Sequence, residues 1–191
     1  MRYIAKKLSG VVTMLPDIYE DKRGYFFESF NPEEFEKRVK RFEVVQENES
    51  RSKHGVLRGL HYQIPPYAQA KLVRVMKGTV LDVIVDLRQD SNTFGQHMTF
   101  LLCDHDNIQL FIPRGFAHGF VAMSKNVKFQ YKVDNPYSPE HDAGIIYDDP
   151  DIDIDWEIQN LILSEKDKKL PRLKGVEQYT TAEWQRNPDK L

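Results

Sequence analysis

The stretch GVLRGLHYQ, residues 55–63, sets Arg58 and His61 among glycines and aliphatic side chains. A half-buried strand gains little packing from a guanidinium and an imidazole so close together. Three uses are open to the histidine: metal ligand, proton carrier, or hydrogen-bonded core residue. A further imidazole, His118, stands in IPRGFAHGF, but the residues around the first read His61-Tyr62-Gln63, with an amide where another ligand would be needed. Two imidazoles without a carboxylate or a third nitrogen fall short of the three or four protein ligands that hold a metal, so no metal is expected. Proton transfer fits better, because a neutral imidazole near pH 7 is a good general base, above all when a carboxylate orients its other nitrogen. For a single strand histidine the satisfied core residue is an even alternative.

Its company tips the balance. In VKFQYKV, strand alternation puts Val127, Phe129, Tyr131 and Val133 on one face and Lys128, Gln130 and Lys132 on the other. The lysine face meets water, so Tyr131 points inward. The same rule places Lys71 with Val73 and Val75, and Gln46 and Asn48 with Val44. An interior holding His61, His118, Lys71, Tyr131, Gln46 and Asn48 is too polar to serve packing alone and reads as a small-molecule cavity.

The elements that must position these groups are mostly strands. Short apolar or alternating runs (GYFFESF, FEVVQENES, KLVRVMKG, TVLDVIVDLR, GQHMTFLL, IQLFIP, GFAHGFVAM and VKFQYKV) are separated by turn residues such as Gly78, Asp90-Ser91-Asn92 and Asn135-Pro136. That spacing belongs to an all-β sandwich or barrel. Asn31 and Pro32 open a helix over EEFEKRV, and SEKDKKL near residue 164 and TAEWQ near 182 read as short helices. At 191 residues, 40% apolar and 29% charged, the chain is expected to form one domain over 1–191, with a core at about 10–175 and an extension at 176–191. A net charge of −2 argues against a nucleic-acid partner. The short, broken apolar stretch near the N-terminus fits a strand better than a signal peptide, and no run is long enough to span a membrane. With Cys103 as the one cysteine, a cytoplasmic location is expected.

Pro113, Gly115 and His118 have the P-x-G-x-x-H spacing of the second cupin motif, whereas the metal-binding H-x-H pair is interrupted at Gln63. More widely, RGYFFESF, VQENES, GVLRGLHYQ, KLVRVMKG, IPRGFAHGF, YKVDNPYSPEHDAGI, DDPDIDIDW and LSEKD follow one another from about residue 10 to about residue 170. In type and order these motifs resemble the dTDP-4-dehydrorhamnose 3,5-epimerase family. The resemblance implies a mainly β, cupin-like jelly roll with a few short helices, working as a homodimer without metal or cofactor. It implies inversion of C3 and C5 of dTDP-4-dehydro-6-deoxy-D-glucose in dTDP-L-rhamnose biosynthesis, each centre losing a proton made acidic by the C4 ketone.

By the same resemblance His61 is the base, Asp167 orients it, Tyr131 is the acid on the other face, and Lys71 sits by the C4 oxygen, where a fixed cation stabilises an enolate. Arg23, Glu28, Gln46, Asn48, Arg58, His118, Asp142 and Lys166 match substrate-binding positions, and Tyr137 matches the aromatic that stacks on thymine. The chain departs from the family at Asp142, usually Glu, and at Pro136, often aromatic. Other readings stay open. Asp167 closes the S-x-x-D pattern begun by Ser164, which a helix cap alone explains. Tyr131 fits a core aromatic with a partnered hydroxyl. Alternation places Arg58 opposite His61 unless Gly59 forms a bulge. Rival functions are a C3-only epimerase or 3,4-ketoisomerase of a related nucleotide sugar, a non-catalytic sugar-binding cupin, and a metal-dependent oxygenase that the broken H-x-H disfavours.

Overall fold

Thirteen strands, all paired antiparallel, frame the computed structural model, which describes residues 1–188. They are β1 (Arg2–Ala5), β2 (Val12–Leu15), β3 (Tyr19–Asp21), β4 (Gly24–Phe26), β5 (Gln46–Lys53), β6 (Leu57–Gln63), β7 (Lys71–Lys77), β8 (Thr79–Asp86), β9 (His97–Cys103), β10 (Gln109–Ile112), β11 (Phe116–Ala122), β12 (Asn126–Val133) and β13 (Asp142–Gly144). One sheet runs in the order β1-β2-β10-β7-β12-β5, the other β13-β6-β11-β8-β9, and β3-β4 is a separate hairpin. The two large sheets face each other as a cupin-like jelly roll.

The central strands β8, β10 and β11 are covered on both faces, which explains why they are buried almost throughout, whereas β5 and β12 turn Glu47, Glu49 and Lys128 outward to solvent. In β8, Val80 and Ile84 point into the sandwich, while Leu81, Val83 and Val85 point to the outer layer. The inner cluster includes Val73, Val75, Leu110, Ile112, Phe116, Phe120, Val127 and Phe129, drawn from both sheets.

The outer face of the six-stranded sheet is covered over β2, β10 and β7 by α1 (Pro32–Arg38), whose first turn is capped by Asn31 accepting from the Glu34 N–H at 3.2 Å. Its Phe35 is fully buried against Phe111 and Phe42. Burial of that ring is worth about 2–3 kcal/mol against ~1 kcal/mol for the cap, so packing on the sheet holds the helix and the cap sets where it begins.

The outer face of the five-stranded sheet is covered by the chain after β13, including Ile152, Trp156, Leu173 and Trp184. The extension from 176 packs through α2 (Thr181–Trp184), which begins with a Thr180–Glu183 capping box and buries Trp184 edge-on to Tyr62. Residues 189–191 of that extension lie outside the described residues. SEKDKKL, expected as a helix, supplies only a single 3-10 turn at Asp167–Lys169. No described helix is long and apolar enough to cross a membrane.

Candidate active site

The site begins with an irregularity in β6. Simple alternation separates Arg58 from His61, yet both line one cavity. Leu57, Leu60 and Tyr62 pack in the outer cluster, so the strand changes parity between Leu57 and Leu60. Register shows where: His118 of β11 pairs with His61 and Phe120 pairs with Arg58, leaving one more residue on β6 than on β11. The bulge contains Gly59, at φ 136°. A Cβ there would lie 2.5 Å from Gly119 Cα, so only glycine is accommodated.

The cavity measures about 340 Å³ and lies between the sheets at the end that the apolar cluster leaves unfilled. His61, Arg58 and His118 come from the five-stranded sheet; Lys71 and Tyr131 come from the six-stranded one. Phe120 and Phe129, stacked at 4.2 Å across the sandwich, supply an apolar side.

Two His–Asp pairs organise the polar groups. His61 Nε2 lies 2.7 Å from Asp167 Oδ1, with the imidazole one-third exposed and the carboxylate almost fully buried. Burial pushes the Asp167 carboxyl up, but the hydrogen bond and charge of His61, with Ser164 and the Gly59 backbone, more than offset it and hold it below the usual range. An ionised carboxylate only accepts, so His61 Nε2–H donates, which in a neutral ring leaves the lone pair on Nδ1. The Asp167 N–H donates to Ser164 Oγ at 3.1 Å, so the capping contact is made by the backbone and leaves the carboxylate to His61. The other pair, His118 Nε2 and Asp82 Oδ2 at 2.7 Å, is buried on both sides. Desolvation raises the Asp82 carboxyl, against the pull of His118 and Lys71.

Lys71 is buried and donates from Nζ to the His61 carbonyl at 3.2 Å. Burial pushes its ammonium down to about 8, with Asp142 and Asp82 opposing. Tyr131 is raised by burial, with Arg58 opposing. At the open edge, Asp142 Oδ2 accepts from the Tyr137 hydroxyl at 3.0 Å and pairs with the Lys166 ammonium.

Four expected site residues do not line this cavity. Gln46 and Asn48 stand on β5, hydrogen-bonded to each other at 2.9 Å, and Gln46 Oε1 accepts from the Tyr137 N–H at 3.2 Å. Their supposed companion Val44 is exposed and precedes the strand, which begins only at Gln46. Arg23 sits in the exposed β3–β4 turn, paired with Asp21, and Glu28 accepts from the Asn31 amide at 3.2 Å.

Sequence reasoning missed Asp82, Gln69 and Ser50, and read Gln63 only as the break in the H-x-H pair. Only Asp82 carried a signal, a carboxylate in the middle of the apolar run TVLDVIVD. Among the described residues no three His, Cys, Asp or Glu side chains form a ligand cluster. Each imidazole Nε2 already faces a carboxylate, and the Gln63 amide is bound to backbone.

Residues 5–175 match the family model described as dTDP-4-dehydrorhamnose 3,5-epimerase. The chain is 46% identical over 176 residues to the dTDP-4-dehydrorhamnose 3,5-epimerase of Methanothermobacter thermautotrophicus, covering 91% of this chain and 95% of the relative. It is similar to the crystal structure of dTDP-6-deoxy-D-glucose-3,5-epimerase from Legionella pneumophila in complex with dTDP-4-keto-L-rhamnose, with TM-score 0.89, 40% identity and 97% of each chain covered. A 3'-monoepimerase from Streptomyces bikiniensis in complex with dTDP-quinovose also aligns, with TM-score 0.88, 30% identity and 94% of each chain covered.

Proposed function

The chain belongs to the dTDP-4-dehydrorhamnose 3,5-epimerase family, and we propose that it inverts C3 and C5 of dTDP-4-dehydro-6-deoxy-D-glucose to give dTDP-4-dehydro-L-rhamnose in dTDP-L-rhamnose biosynthesis. The supporting observation is a cavity with two chemically different walls. One sheet offers the imidazole of His61, backed by Asp167; the other offers the hydroxyl of Tyr131. A sugar ring held between the sheets is met from both faces.

His61 Nδ1 removes the proton alpha to the C4 ketone. The electron pair moves into the C3–C4 or C4–C5 bond and onto the carbonyl oxygen, which the Lys71 ammonium stabilises as an enolate. Tyr131 delivers a proton from the opposite wall, so the centre is inverted. No redox equivalent enters or leaves. Arg58 and Lys166 are the cations available to the diphosphate, and Tyr137 stacks on the base while Asp142 holds its hydroxyl.

Arg23 and Glu28 match substrate positions yet stand apart from the cavity of their own chain, Arg23 beside the exposed rings of Tyr19, Tyr25 and Phe26. That separation supports a homodimer in which these segments serve a second copy. The enzyme works in the cytoplasm, where the free Cys103 thiol stays reduced.

The likeness to a 3'-monoepimerase keeps one second reading in view, inversion at C3 alone. Incubation with dTDP-4-dehydro-6-deoxy-D-glucose in deuterated water separates the two. Deuterium at both C3 and C5 is expected; deuterium at C3 alone establishes the second reading, and none at either carbon removes both.

A further inference from the structure

We propose that Gln63 is a positioning residue for nucleotide recognition, locking the loop that carries Tyr137 so that its ring stands ready before substrate arrives. The inference rests on the reading of Tyr137 as the base-stacking residue and goes beyond it, to what holds that ring in place. Gln63 is almost fully buried at the end of β6, two residues from His61, and its side chain spends every hydrogen-bonding group on backbone. One Nε2 hydrogen goes to the Tyr67 carbonyl at 2.7 Å and the other to the Pro136 carbonyl at 3.0 Å, while Oε1 accepts from the Ser138 N–H at 2.7 Å. The residues immediately before and after Tyr137 are thus both tied to one side chain. That side chain also binds the facing loop at Tyr67, to which Asn135 is stitched through the Ala68 carbonyl at 2.9 Å.

Only a primary amide does this. Two donors and an acceptor on one planar group match two carbonyls and an N–H; a carboxylate would face both carbonyls with negative charge, and an imidazole has two nitrogens for three partners. The position at which a metal cupin places its second imidazole is therefore committed here to loop geometry. Tyr137 itself is half exposed, and among the described residues its side chain is hydrogen-bonded through the hydroxyl to Asp142. A ring so placed would sample many positions were its loop free, and ordering it would then fall on the binding step.

The test uses the full chain with Gln63→Met, Gln63→Asn, Tyr137→Ala and the Gln63→Met/Tyr137→Ala pair. Calorimetric binding of dTDP is measured alongside kcat and KM for dTDP-4-dehydro-6-deoxy-D-glucose. Losing the lock should raise the dTDP Kd and the substrate KM together by about tenfold, with kcat held within about threefold because His61, Lys71 and Tyr131 are untouched. Tyr137→Ala should raise the dTDP Kd similarly, and the double variant little further, as for residues acting as one unit. Should the Met variant fail to fold, the Asn variant, which keeps the amide but withdraws it by one methylene, carries the comparison. The inference is overturned if both Gln63 variants bind dTDP normally while Tyr137→Ala does not, if the two costs add in full, or if kcat falls while KM holds. Normal dTDP binding by Tyr137→Ala would instead remove Tyr137 from base recognition, and the inference with it.

Discussion

His61 and His118 are direct cross-strand partners, each with Nε2 2.7 Å from an aspartate oxygen, and yet they are not chemically equivalent. The imidazole of His61 is one-third exposed and its aspartate is held below the usual carboxylate range; that of His118 is nearly buried and its aspartate is pushed above it. A base needs a lone pair that substrate can reach and an orienting group that stays ionised. The accessible His61 pair suits the base of the proposed mechanism, whereas the His118 pair forms a buried polar wall beside Lys71. Two pairs of one composition are separated by access and desolvation.

Replacing each histidine is the most direct way to break this contrast. His61→Asn should cost about 10²–10⁴-fold in turnover and abolish exchange of the C3 and C5 protons with deuterated water. His118→Asn should keep exchange within about tenfold, its loss appearing mainly in KM. Exchange that survives the first change and vanishes with the second would hand the base to His118.

The aspartates should rank in the same order with smaller effects. Asp167→Asn frees the His61 ring to take the wrong tautomer and should lower turnover about 10²-fold or more, against about tenfold or less for Asp82→Asn. Equal losses in the two variants, measured by steady-state kinetics, would show that access does not distinguish the pairs.

Tyr131 shows whether the His61 pair acts alone. Tyr131→Phe removes one oxygen, costs ~1 kcal/mol of stability at most, and should lose most inverted product while retaining some exchange from the His61 side. Normal epimer formation by this variant would return Tyr131 to the core.

A weaker effect comes from pH. In the proposed mechanism Lys71 carries its proton to hold the enolate, and burial brings it down to about 8, so kcat/KM should decline as pH rises through about 8. The stability consequence has the opposite sign. A lysine whose folded value lies below its unfolded value disfavours the folded state at lower pH and is relieved as pH rises from about 8 toward the ordinary lysine range. Lys71→Met should accordingly raise stability near pH 7 by about 2 kcal/mol in thermal or urea unfolding, while removing the enolate's counter-charge. An alkaline limb unchanged in position would detach Lys71 from the reaction.

The smallest expected effect is none: turnover should survive exhaustive chelation. Loss with EDTA, restored by one divalent ion, would recruit His61 and His118 as ligands and dissolve the contrast between them.

The sequence alone determined what depends on neighbours along the chain. Strand alternation turned Lys71 and Tyr131 inward, Asn31 and Pro32 fixed the start of α1, and ordered motifs carried the resemblance to the epimerase family. Tertiary structure decided everything that depends on register or on distant segments meeting. Asp167 reaches His61 across 106 positions of sequence, and no local pattern separates that role from the cap it also resembles. Asp82 meets His118 only because β8 and β11 pair in one register. Arg58 joins His61 because a bulge containing Gly59 reverses the parity that alternation assumes. Period-two reasoning is local and holds until one extra residue enters a strand; pairing across the sandwich is set by close packing, which no single strand contains.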